Sequence, residues 1–192
     1  MTRTIPGQLR AAAVAGAIAA VIAGFAPALA QEPVMVGGAP MYADKTIAEN
    51  APNAENLSTL VAAVQAAGLV ETLGGAGPFT VFAPDNRAFS ALQPGAVDNL
   101  LKPENKDTLT RVLTYRVVAA NATSEAAMQM IKDDGGAHNV TTVSGDTLTL
   151  KMDGDNIIVI DETGNAATVT QADVMQKNGV VHVINEVLMP KM

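Results

Sequence analysis

The sequence predicts an α+β fold in which N-terminal helices pack on a mainly antiparallel β-sheet or wedge. Two observations carry this reading. Apolar residues recur at helical spacing from Leu57 to Lys132, and from His138 onward the period drops to two, in five runs separated by turn-forming residues. The order matters as well: helices first and strands second, without an internal repeat, is the pattern of a helical layer laid against a sheet.

Residues 1–30 read as a secretory signal peptide. Arg3 and Arg10 supply a positive n-region, Ala11 to Ala26 an apolar run, and Ala28-Leu29-Ala30 the small residues at the two positions a signal peptidase reads, so cleavage is expected before Gln31. A membrane-spanning helix needs about 20 apolar residues, and this run is shorter and interrupted by Gly16, Gly24 and Pro27. The two arginines are not adjacent, which disfavours a twin-arginine route, and the absence of Cys leaves a lipid anchor no attachment point. The mature chain of 162 residues is therefore expected outside the cytoplasm, periplasmic or extracellular, with no stable membrane anchor.

That length fits one domain of roughly 100–200 residues. Loss of Arg3 and Arg10 takes the formal net charge from −7 to −9, which disfavours nucleic acid and anionic membrane faces as partners. Without cysteine, stability must come from burial, and thiol catalysis, thiol redox chemistry and Cys-ligated zinc are excluded. Two Tyr, four Phe and no Trp supply aromatic stacking surfaces poorly.

Gln31 to Asn53 holds Pro33, Gly37, Gly38, Pro40 and Pro52 without regular apolar spacing and reads as a flexible tether, ordered only near Met41 to Ile47; the folded domain is expected over residues 54–192. Leu57, Leu60, Val61, Val64, Ala67 and Leu69 lie at helical spacing, and Gly74-Gly75 stops the run. After Gly77-Pro78, Phe79 to Phe82 alternates as a strand does, and Asp85 is placed to cap a helix opening at Asn86. Pro94 and Pro103 open two further helices from first-turn positions, the second burying Leu109, Val112 and Leu113. A last short helix spans Ser124 to Lys132 and is closed by Gly135-Gly136. The strands expected after it are His138 to Val143, Thr147 to Met152, Asn156 to Ile160, Ala167 to Met175 and Gly179 to Leu188, joined by turns such as Asp153-Gly154-Asp155 and Thr163-Gly164-Asn165.

No catalytic constellation, metal site or cofactor motif stands out. The two histidines, His138 and His182, fall on different strands and in no spaced metal motif. Asp153-Gly154-Asp155-Asn156 begins like a calcium loop, but apolar residues follow from Ile157 and no terminal Glu is in place, so a solvated hairpin turn is expected. The Gly-rich runs lack the Lys-Ser/Thr of a phosphate cradle. The glycosylation acceptors at Asn56, Asn121 and Asn139 carry meaning only in a eukaryotic pathway, and the Ala-rich signal looks bacterial. In the last strand Val181 and Val183 face one way and Val180, His182 and Ile184 the other, which places His182 among apolar neighbours as a buried neutral ring bonded to backbone.

Three stretches in order carry a resemblance. Phe79-Thr80-Val81-Phe82-Ala83-Pro84-Asp85-Asn86, with Phe89 after it, resembles the first block of fasciclin-like domains. Leu113, Tyr115, Arg116, Val117 and Val118 resemble the family's central element, with Arg116 where His is usual. Asn178-Gly179-Val180-Val181-His182-Val183-Ile184-Asn185, continuing to Leu188 and Pro190, resembles the second block, with Asn185 where Asp is usual. The resemblance runs from about residue 41 to the end and implies a single binding domain, not an enzyme. Its first implication is adhesion to cells, surfaces or extracellular matrix through a surface or matrix protein or glycan. Its second is an extracytoplasmic carrier of an apolar small molecule such as a carotenoid, for which Met128, Met130, Met152, Met175 and Met189 offer adaptable lining. Asp107 and Thr108 lie in an Asn-Lys-Asp segment similar to family receptor contacts, which also reads as the first turn of a helix.

Overall fold

The structure, a computed structural model, describes residues 32–191; the signal-peptide reading of residues 1–30 lies outside them. Part of the expected tether is folded. Strands β1 (Val34–Val36) and β2 (Ala39–Met41) form an antiparallel hairpin, and Thr46 opens helix α1 (Ile47–Asn50) through a reciprocal capping box with Glu49. Val36, Met41 and Ile47 are buried in the first of two apolar cores. Burying such side chains contributes roughly 1.5–3 kcal/mol each, which a free tether would forgo.

The helix expected from Leu57 to Leu73 is two helices, α2 (Ser58–Ala67) and α3 (Val70–Gly74), because Gly68 takes a left-handed conformation at φ +75° and ends α2. Strand β3 (Phe79–Pro84) leads into α4 (Asn86–Ser90), capped as expected by Asp85, whose Oδ1 accepts from the Ala88 N–H at 2.8 Å. Then come α5 (Ala96–Leu100), α6 (Lys106–Thr114), β4 (Val117–Val118) and α7 (Ser124–Asp133). The rest is strand: β5 (Ala137–Thr141), β6 (Thr147–Asp153), β7 (Asn156–Ile160), β8 (Ala166–Gln176) and β9 (Gly179–Ile184). The last strand stops at Ile184 rather than Leu188, because Asn185 turns the chain by bonding Thr168 instead of continuing the ladder.

Seven strands form one sheet in the order β4-β3-β9-β8-β7-β6-β5. Every neighbouring pair is antiparallel except β3 and β9, the two fasciclin-like blocks, which lie parallel with Phe79 opposite Gly179. All six residues of β9 are buried, since both faces of the sheet are covered there. Val181 and Val183 enter the core under the N-terminal segment, α2 and α6, while Ile184 enters a second core under α7 with Phe82, Tyr115 and Leu150. The fold is the α+β class expected.

Candidate functional site

An apolar cavity of about 140 Å³ lies inside the first core. The N-terminal segment supplies Val36, Met41 and Ile47 as one wall; Leu60 and Val64 of α2 and Leu113 of α6 form another, and Val81 and Val181 the sheet floor. The cavity is partly open, and five of its lining residues, Pro52, Gln65, Val70, Thr72 and Val143, are exposed. None of the five methionines offered by the sequence lines it; Met128, Met130 and Met152 pack on the second core, and the cavity has Met41 instead. Five neutral polar residues line it, Asn50, Gln65, Thr72, Thr114 and Gln176, and of these Asn50 bonds Gln176. Asn50 also donates to the Tyr42 carbonyl at 2.7 Å.

Arg116 lines the same cavity and is 1% exposed. Its Nη2 donates to the Leu188 carbonyl at 3.1 Å, and its Cζ stands 5.8 Å from the centre of the Phe89 ring. Nε and Nη1 have no hydrogen-bond partner. Burial pushes the guanidinium down to about 9, so it remains a cation at neutral pH. Its neighbour Tyr115 belongs to the other core, where the hydroxyl donates to the Thr147 carbonyl and accepts from the Glu162 N–H; burial pushes the phenol up to about 12.

The first block is chiefly scaffold. Phe79, Val81, Ala83 and Phe89 pack in or against the first core, Phe82 in the second, and Pro84 pairs with Ile184 at the end of the parallel ladder. Thr80 is fully buried, donating to the Ala120 carbonyl and accepting from the Ala122 N–H. Asn86 ties α4 to the start of α2 through Thr59, Ser58 and the Glu55 carbonyl. In the second block Asn178 spans three segments: its Oδ1 accepts from the Ile47 N–H at 3.0 Å, and its Nδ2 donates to the carbonyls of Leu73 and Gly75. Asn185 accepts from the Thr168 N–H at 2.7 Å, a role that needs an oxygen but no charge. Arg116 and Asn185 thus bond different partners and form no shared pair. Asp107 and Thr108 sit in the first turn of α6, Asp107 exposed and away from the cavity lining.

His182 is buried, stacked on Phe82, with Nε2 at 2.8 Å from the Ala122 carbonyl and Nδ1 3.3 Å from the Asp173 N–H. These partners define a neutral ring that donates from Nε2 and accepts at Nδ1. Burial is the main influence and lowers its proton affinity, against the opposing Ala122 bond and the Asp173 charge. The unfolded chain takes up a proton near pH 6.5 while the folded ring stays neutral, so His182 contributes stability that is present above that pH and lost on acidification toward the folded value. Melting temperature should fall from pH 7 to 5, and His182→Gln should flatten that slope. An unchanged slope in the variant would assign it to other groups.

One carboxylate, Asp161, is buried without a motif that marks it as a site. Burial pushes the Asp161 carboxyl up, but hydrogen bonds from Met189, Thr163 and Asn165 outweigh it and hold the group below the usual carboxylate range. It accepts from the Met189 N–H at 3.0 Å, from the N–H and hydroxyl of Thr163, and from the N–H and amide of Asn165. An Asp two residues before a Thr-Gly is the signal that could have found it. Among the described residues no group of three or more His, Asp or Glu could hold a metal ion, and no helix is long and apolar enough to cross a membrane.

The fasciclin domain model matches residues 55–190. Protein sll1483 of Synechocystis is 48% identical over 147 residues, 77% of this chain and 74% of that protein. The cell surface glycolipoprotein MPB83 of Mycobacterium bovis is 35% identical over 172 residues, 87% of this chain and 70% of its own length. Among solved structures, a FAS1 domain pair from the insect cell adhesion molecule fasciclin I superposes with a TM-score of 0.68 at 16% identity, over 76% of this chain and 51% of that one.

Proposed function

The chain belongs to the fasciclin domain family, and from that premise we propose that the mature protein is an extracytoplasmic binding module that takes an apolar small molecule into the cavity between its helices and its sheet. The observation that carries this is the cavity itself, about 140 Å³, lined mostly by apolar side chains and partly open to solvent. A void of that size costs a folded domain on the order of 3 kcal/mol at about 24 cal/mol per Å³, and an apolar pocket of about 150 Å³ is large enough for benzene. A ring or a short acyl end fits; a whole carotenoid does not.

Ethylbenzene should raise the melting temperature of the mature protein. Val64→Phe, which fills the cavity from α2, should raise it without ligand and abolish the response. If ethylbenzene changes neither melting temperature nor the methyl NMR signals of the lining residues, the reading is wrong.

A second reading, adhesion through surface contacts, is supported by the name of the mycobacterial relative, a cell surface glycolipoprotein, and by two exposed large apolar side chains, Met35 and Tyr42, in the N-terminal segment. Replacing both with Ser should lower attachment of producing cells while leaving the melting temperature in place; unchanged attachment would count against this reading.

A further inference from the structure

We propose that the cavity's occupant is a small monocarboxylic acid with an apolar alkyl or aryl body, and that Arg116 is the residue that holds its acid group. The inference rests on the small-molecule reading above and adds the chemistry of the ligand's polar end.

A guanidinium carries a fork of N–H donors and is nearly always paired when buried, because an unpaired buried charge loses its hydration with nothing in return. Arg116 departs from that rule. The ion pairs among the described residues join Arg111 to Asp146 and His138 to Asp134, so no carboxylate among them neutralises it. The Leu188 carbonyl occupies Nη2 alone, while Nε and Nη1 stay without an acceptor.

The cavity explains what would complete the site. Among the described residues Arg116 is the one charged residue of the lining, which holds no Asp or Glu to repel an anion. The other buried amides, Asn50 and Gln176, already bond each other. A ligand with an apolar body would bury that body against Leu60, Val64 and Val181, and its carboxylate would accept from the Nε and Nη1 donors, which no atom of the described residues satisfies. Charge-assisted bonds of this kind are the strong ones. The net charge of −9 expected for the mature domain acts at long range and is screened beyond about 8 Å in physiological salt, leaving the local cation to select the acid. The cavity volume limits the body to a ring or short chain.

The experiment is calorimetric titration of the mature protein with hexanoate and benzoate against the neutral probes 1-hexanol and benzyl alcohol, near neutral pH. The acids should bind about tenfold or more tighter than the alcohols of like shape. Arg116→Met should retain or raise the melting temperature, lose about tenfold or more in acid affinity, and bind the alcohols as well as before or better. Arg116→Lys, which keeps a positive charge, should retain part of the preference; it and the wild-type acid-to-alcohol ratio decide the matter if Arg116→Met does not fold. Equal binding of acid and alcohol, or a preference that survives in Arg116→Met, overturns the role of Arg116 and leaves the apolar cavity reading standing. Binding of neither class overturns both.

Discussion

Replacing Gly179 with Ala should lower stability by on the order of 3 kcal/mol, roughly 6–12 °C in melting temperature for a domain of this size. The reason is backbone against backbone. Gly179 stands opposite Phe79 where the two central strands run parallel, and a Cβ there would meet the Phe79 carbonyl oxygen at 1.9 Å. No rotamer relieves that contact, since the obstructing atom is main chain. The strands must separate at the start of a ladder that carries Val81, Val181 and Val183 into the first core. Gly145→Ala is the comparison. Gly145 sits in a turn at φ +90° with nothing within 4 Å of an added Cβ, so it should cost only the left-handed strain of about 1–2 kcal/mol. Equal losses in the two variants would show that close approach at Gly179 is not the governing effect.

Asp161→Ala should cost about 3–4 kcal/mol, and the loss should depend on pH. The substitution strips acceptors from the N–H groups of Thr163, Asn165 and Met189 together, and buried donors left unpaired cost about 1–3 kcal/mol each where water cannot replace the partner. Since the folded carboxyl is held below the usual carboxylate range, its contribution is present above about pH 4 and is lost as pH falls through the folded value. The gap between wild type and Asp161→Ala in urea unfolding should therefore narrow in acid. Limited proteolysis offers a second view, because the variant frees the chain near Met189 and should be cut there sooner. A gap that stays constant down to pH 2 would show that the charge on Asp161 contributes nothing.

Much of the scaffold was legible because strong local signals agreed. Phe79 to Phe82 alternates as a strand, Asp85 caps the helix after it, and the run from Gly179 to Ile184 is apolar but for His182, as suits a strand covered on both faces. The N-terminal wall was illegible for the opposite reason. Strands of three residues are too short to display a period, and Pro33, Gly37, Gly38 and Pro40 mark a hairpin here with the residues that also mark a linker. Gly68 lies inside a continuous apolar pattern, so the break between α2 and α3 shows only in the backbone. The cavity was harder still, since empty space is set by packing among several distant elements and not by any one of them. Arg116 stood out as a departure from the fasciclin pattern; that it is buried and half-bonded needed coordinates. Asp161 is not legible because Thr163-Gly164-Asn165 accounts for the turn without it.

The wall that closes the cavity is made from residues 34–50, yet it is received by strands near the other end of the described chain. Ile47 bonds Asn178 across 131 residues of sequence, Lys177 donates to the Lys45 carbonyl, and Gln171 donates to the Met35 carbonyl across 136. Contacts so distant in sequence form slowly and late. During synthesis the first wall therefore emerges long before its receiving strands exist, and Val36, Met41 and Ile47 wait uncovered until β8 and β9 arrive. The cavity is thus walled off only at the end of chain production, which leaves the young polypeptide vulnerable to misassociation in that interval.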